Sequence, residues 1–266
     1  MRETLALMRA SWLTATSYRL GMAMSLAGLI VTILPMYFVA GALQPVLAER
    51  ISNEGGHYFG FLVVGVIAFS FLSTAVNAVP GAMASGIASG TLEAMLSTRA
   101  RLGALVAGLV GYGFTWTAVR AAMTIVMAVL LGVRFSAGHS GVAVLILLLI
   151  VMAYFAIGLM AAAMVLAFRT TGPLPQVVLL LSGLLGGVYY PTSVIPSWIQ
   201  SVSSVVPLTY GLRALRRVWL DGAPVGEVVP DVLVLAGMAI ALLTLGIGIF
   251  AAGMRYARRA GTLAQY

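Results

Sequence analysis

The chain has 266 residues, 61% hydrophobic and 8% charged, with a mean hydropathy of +1.06. A soluble domain carries about a quarter charged residues, so the composition excludes a water-soluble globular protein. It indicates instead an integral membrane protein, one domain over residues 1–266, with several spans. The net charge of +8 then reports orientation and contact with anionic headgroups, not binding to nucleic acid.

Two residue types are missing. Without cysteine there is no disulfide, thiol nucleophile or cysteine metal site. All 15 basic residues are arginine. A chain without lysine has no P-loop, because that loop needs a lysine to reach nucleotide phosphates, and it forms no Schiff base. Any ATP that drives this chain is bound by another one.

Residues 1–18 are too polar to span. Leu5, Met8, Trp12 and Ala15 share one helical stripe, with Glu3, Thr14 and Ser17 opposite. That pattern predicts a helix lying in the inner membrane surface. Six apolar spans follow, at about 20–43, 58–80, 103–133, 141–168, 174–190 and 230–254. The first is longer than the ~7–15 apolar residues of a signal peptide and is read as retained. Pro35 is expected to kink it. With the N-terminus inside, nine arginines fall on cytoplasmic pieces and five on outer pieces, with Arg120 left within a span. The positive-inside rule thus places both termini in the cytoplasm, in a multi-pass plasma (inner) membrane protein.

Glu93 falls in a loop and Asp231 at a rim, so no Asp or Glu lies in the interior of a predicted span. Ion-coupled carriers usually need such a carboxylate, which argues against that class. Arg120 therefore has backbone carbonyl, water, a second subunit or an anionic substrate as its partner. Two depths stay open for it: mid-bilayer, or near a rim with the side chain snorkelling. His57 and His139 both sit at outer rims and make a poor metal site. They are also too shallow for an intramembrane serine protease.

Between spans two and three, "SGIASGTLEAMLSTRARLG" occupies 85–103. Gly90 and Thr91 open a short helix. Thr91 suits the N-cap, and Glu93 complements the positive helix end. Leu92, Met95 and Leu96 form a small apolar face. Such a helix is a docking knob for a soluble partner.

Between spans five and six, "GGVYYPTSVIPSWIQSVSSVVPLTYGLRALRRVWLDG" occupies 186–222. Gly183, Gly186 and Gly187 are expected to let another helix approach. Tyr189 and Tyr190 read as interface anchors. Pro191 is expected to end the preceding helix. Ser197, beside Pro196, is placed to cap a short helix that Pro207 breaks. A second helix carries Leu208, Leu212, Leu215 and Trp219 on one stripe, with Arg213, Arg216 and Arg217 read as lying off it. Two amphipathic helices too short to span either dip into the outer leaflet or lie on its surface.

This last stretch resembles the C-terminal signature of ABC-2 type exporter permeases, through Gly187, Tyr189, Pro191, Pro196, Trp198, Pro207, Leu208, Thr209 and Arg213. The Gly-Thr-Leu-Glu at 90–93 resembles a second motif of that family. There a proline usually follows, and here Arg99 stands instead, which blurs where the helix ends. The resemblance implies an all-α membrane domain with six transmembrane helices. Residues 86–99 become the coupling helix, with Gly90, Thr91, Leu92, Glu93, Met95 and Leu96 seated in an ATPase subunit. Residues 192–220 become outer re-entrant helices near the exit, marked by Tyr189, Tyr190, Pro191, Pro196, Trp198, Pro207, Tyr210 and Arg213. The resemblance implies two separate ATPase subunits carrying ATP and Mg, and a second permease chain, identical or related. This chain itself would carry no cofactor and no catalytic residue. Amphipathic or lipid-linked cargo suits the apolar spans. A stand-alone carrier or membrane scaffold is the alternative and needs no ATPase.

Overall fold

The computed structural model describes residues 19–51, 54, 56–88, 102–136, 138–168 and 172–259. Among them the regular structure is all helical, without strands. A chain in hydrocarbon must satisfy its backbone internally, and an apolar segment does so by forming helix. Five helices are long and apolar enough to cross a membrane. They are α1 (Arg19–Leu47), α2 (Tyr58–Ala88), α3 (Leu102–Leu130), α4 (Ser140–Phe168) and, last in the chain, α8 (Val225–Arg259). Three short helices lie between α4 and α8: α5 (Leu174–Leu185), α6 (Ser197–Ser203) and α7 (Pro207–Trp219). A single 3-10 turn, Thr192–Val194, precedes α6.

The predicted spans coincide with these helices, with two differences. Span two runs to Ala88 rather than 80, so residues 86–88 belong to α2 rather than to a separate helix. The predicted fifth span, 174–190, holds a helix of 12 residues. At ~1.5 Å per residue α5 covers only about 18 Å, short of the ~30 Å hydrocarbon core. Its helix ends at Gly186, followed by Gly187 at φ +78°, and not at Pro191. Helix α1 continues through Pro35.

Helices α2 and α4 form the centre. α2 is the most enclosed of the five, while α1, α3 and α8 leave most of their surface open. One core joins α2, α4, α7 and α8 around Leu72, Ile146, Tyr154, Leu212 and Leu235. A second joins α1, α2 and α3 around Ile33, Phe61, Ile67 and Ala128. A third, at the opposite end, holds Val79, Met83, Val165 and Leu166.

Small residues set the spacing. A Cβ on Gly158 would stand 2.7 Å from the Ala75 carbonyl oxygen of α2. A Cβ on Gly246 would stand 2.6 Å from that of Ala156. Glycine at these two crossings lets α4 touch α2 and α8 backbone to backbone, which is how helices associate where no hydrophobic effect drives them. The exposed faces of α1, α3 and α8 are rows of large apolar side chains, among them Phe38, Val46, Val126, Leu130, Leu233 and Ile240.

The connections α1–α2, α3–α4 and α5–α8 meet at one end of the bundle. Glu54 reaches Arg216, Tyr58 reaches Tyr189, and the Ser136 amide donates to the Trp219 carbonyl at 2.7 Å. These are the pieces that arginine counting assigned to a common side.

Candidate functional site

The end where the connections meet is capped by α7. Its apolar stripe enters the core: Leu208, Leu212 and Leu215 are at most 1% exposed. Gly211 lies against Ile150, ten residues into α4, or about 15 Å along that helix. At its other end Trp219 meets Phe135 edge-to-face, with centroids 6.0 Å apart. The helix therefore rises from within the bundle to its end.

Arg216 holds this cap down. It is 2% exposed. Successive residues turn by about 100°, so Arg216 lies about 40° from Leu212, on the buried side, and not off the stripe as the sequence reading placed it. Its guanidinium donates to the Phe61 carbonyl from Nε at 3.3 Å and Nη2 at 3.2 Å. Nη2 also donates to Gly187 O at 2.8 Å, and Nη1 to Glu54 Oε2 at 3.1 Å. The Phe61 ring lies under it, 3.3 Å from Cζ to centroid. Burial pushes the guanidinium down to about 10, with Glu54 opposing the shift, so it stays charged at neutral pH. One side chain thus ties α7, the start of α2, the α1–α2 connection and the turn after α5. The turn can reach it because position 65 is glycine: a Cβ there would collide with the Val188 carbonyl oxygen.

The predicted outer residues fall around this hub. The Tyr189 carbonyl accepts from the Tyr58 hydroxyl at 2.6 Å, and its own ring is exposed. The Tyr190 hydroxyl donates to Leu184 O at 2.6 Å. Pro191 leads into the 3-10 turn. Pro196, not Ser197, takes the cap position of α6, and its carbonyl accepts from the Ile199 and Gln200 amides. Ser197 is the first helical residue and makes no cap bond. Trp198 is 71% exposed. Pro207 begins α7, where its missing amide costs nothing. Arg213 reaches Asp231 at 3.3 Å, with Cζ 5.8 Å from the Tyr210 centroid. Arg217 meets Glu227 at 2.7 Å, so two further ion pairs fasten α7 to α8. Of the three glycines expected to admit a helix, Gly186 makes room for Leu208 and Gly183 for the Phe69 ring, while Gly187 supplies the left-handed turn.

Arg120 occupies a different place. A cavity of about 220 Å³ lies between α1, α2 and α3. Its polar lining is Arg120 with Thr32, Ser70, Ser73, Thr74, Thr117 and Thr124. Arg120 is ten residues before Leu130, the end of α3, or about 15 Å along that helix, and it is exposed. Its guanidinium makes no hydrogen bond or ion pair with another described residue. An open cleft of about 470 Å³ adjoins, lined by Leu29, Ile30, Met123, Val126 and Leu130 among others. Leu29 lines both spaces.

The predicted coupling residues Gly90, Thr91, Leu92, Glu93, Met95 and Leu96, and the predicted interfacial helix 1–18, lie outside the described residues. Sequence reading missed Arg216 and Glu54. The signal for Arg216 was its spacing of four from Leu212; Glu54 carries no local signal, since only the folded chain brings it near.

A search of curated proteins gives no significant match. The family model described as ABC-2 type transporter matches residues 2–220. That span includes all of the helices except α8, as well as the cap with Arg216. The chain belongs to the ABC-2 type transporter family, as a multi-pass, non-catalytic membrane component of a transporter.

Proposed function

We propose that this chain is the permease subunit of an ATP-driven exporter of the plasma membrane. The carrying observation is the family match over residues 2–220, which includes both the Gly-Thr-Leu-Glu stretch and the α6–α7 segment. In this reading two copies, or one copy and a related chain, enclose the path. The apolar faces left open on α1, α3 and α8 suit contact with lipid and with such a partner.

Two ATPase subunits, holding ATP and Mg, dock at residues 86–99 and on the N-terminal helix. Closure of the ATPases pushes on the helix around Glu93, the spans shift, and cargo leaves beneath residues 192–220. Both termini face the cytoplasm. Residues 172–190 make the fifth of six crossings: Gly172 lies against Met164 near the far end of α4, and Val188 reaches Gly65 near the opposite end. The rise of α7 from Ile150 to the bundle end supports re-entrant outer helices.

The test is purification of the tagged chain in mild detergent, wild type beside Glu93→Lys. A P-loop ATPase that accompanies wild type and is depleted by the substitution is the expected result. A chain that emerges alone in both cases, in a detergent that preserves other transporter complexes, overturns the reading.

A further inference from the structure

Arg120, within the apolar helix α3, is a charge without a counter-charge among the described residues. A charge within an apolar helix is costly, and its usual remedy is a carboxylate on a neighbouring helix. Helices α1, α2 and α3, which surround it, have none to give. The chain's seven acidic residues are Glu3, Glu49, Glu54, Glu93, Asp221, Glu227 and Asp231, so none lies at 55–92, 94–220 or 232–266. Helix α1 has none either.

The surroundings of Arg120 are those of an oxygen-rich ligand group. The Thr32, Ser70 and Thr124 hydroxyls each donate to a carbonyl of their own helix, at 2.8, 2.7 and 2.9 Å. Thr74 and Thr117 share a hydrogen bond of 2.7 Å across the α2–α3 contact. None of them depends on a ligand for a partner. Each can turn its proton to a ligand oxygen and return it when the ligand leaves. A guanidinium with hydroxyls around it matches a phosphate or carboxylate. Beside it the cleft at Ile30, Met123, Val126 and Leu130 is almost wholly apolar and opens on the outside of the bundle.

We infer that the cavity and the cleft form one binding site for an anionic amphiphile, with the anionic group on Arg120 and the acyl chain between α1 and α3. This deepens the exporter reading by giving its cargo a chemical class, and as a statement about transport it rests on that reading. Binding itself requires no ATPase, so it is tested on the purified chain alone. Failure here leaves capture of an ATPase untouched.

The experiment titrates the chain, in neutral detergent, with dodecyl phosphate, dodecanol and inorganic phosphate, reading bound ligand by native mass spectrometry. Saturable binding of one dodecyl phosphate per chain is expected, weakened tenfold or more by Arg120→Gln and less by Arg120→Lys. Met123→Trp, which fills the cleft and leaves Arg120 intact, is expected to weaken it to a similar degree. Dodecanol is expected to bind without dependence on Arg120, and inorganic phosphate to compete poorly. Equal dodecyl phosphate affinity in wild type and Arg120→Gln overturns the proposal. If Arg120→Gln does not fold, unchanged affinity in Met123→Trp overturns it. Inorganic phosphate that competes as strongly as dodecyl phosphate removes the acyl half and overturns the amphiphile assignment.

Discussion

Arg216 Nη1 stands 3.1 Å from Glu54 Oε2, across 162 residues of chain. The two partners differ in burial, with side chains 3% and 20% exposed. Removing them should therefore have unequal effects. Arg216→Met leaves the buried carbonyls of Phe61 and Gly187 without this donor, and Glu54 without its counter-charge. A loss of about 3–5 kcal/mol is expected, the range for breaking a buried pair from one side. Glu54→Gln keeps an acceptor near Nη1 and touches solvent, so about 1–2 kcal/mol is expected. Thermal unfolding in one detergent checks the order. A Glu54→Gln protein less stable than Arg216→Met would contradict the hub.

The turn that meets Arg216 depends on Gly65. A Cβ there runs into the Val188 carbonyl oxygen and comes within 3.1 Å of Arg216 Nη2. Both are fixed, so the turn must move. Gly65→Ala is expected to cost about 1–3 kcal/mol, as other forced insertions into packed sites do. Gly81, also in α2, has nothing within 4 Å of its added Cβ. Gly81→Ala should leave stability unchanged or raise it by about 0.5–1 kcal/mol through helix propensity. Equal effects at the two positions would refute the close approach.

The long helices were legible because each apolar run exceeds the length that hydrocarbon requires, and composition alone sets such a helix. The fifth run was misjudged at its end. Pro191 looked like the terminator, yet the Gly186-Gly187 pair stops the helix first, because Gly187 takes a left-handed conformation that other residues avoid. At α6 the cap was assigned to the Ser197 hydroxyl, whereas Pro196 takes that position. Arg216 was read from its charge, whereas its spacing from Leu212 placed it inside. Its buried partners are carbonyls of Phe61 and Gly187, which no side-chain pattern announces. The cavity around Arg120 was half legible: the lone arginine was visible, but the hydroxyls come from three helices whose facing is set only by packing.

Tyr154 and Ser182 form another link that tertiary structure alone creates. The hydroxyls stand 2.9 Å apart, with Tyr154 1% exposed, and join α4 to α5. Tyr154→Phe and Ser182→Ala each remove one side of this bond. Each is expected to cost about 1 kcal/mol. The double variant should cost clearly less than the sum, because the second change removes a bond already lost. Additive losses in thermal unfolding would mean that the two groups do not act as a pair.

Trp198 tests where α6 sits. It is exposed on a seven-residue helix, and its neighbours Val202 and Val205 are exposed too. An apolar group of this kind on a helix too short to span is stable at the membrane interface and costly in bulk water. A variant retaining only this tryptophan, with Trp12, Trp116 and Trp219 replaced by Phe, is placed in vesicles whose lipids carry bromine near the headgroup or near the chain end. Quenching should be stronger with the shallow label, and Trp198→Ala should change stability by less than about 0.5 kcal/mol, since little packing is lost. Quenching by neither lipid, with free access to an aqueous quencher, would place residues 192–206 in water and leave α7 as the only part of the segment that enters the bundle.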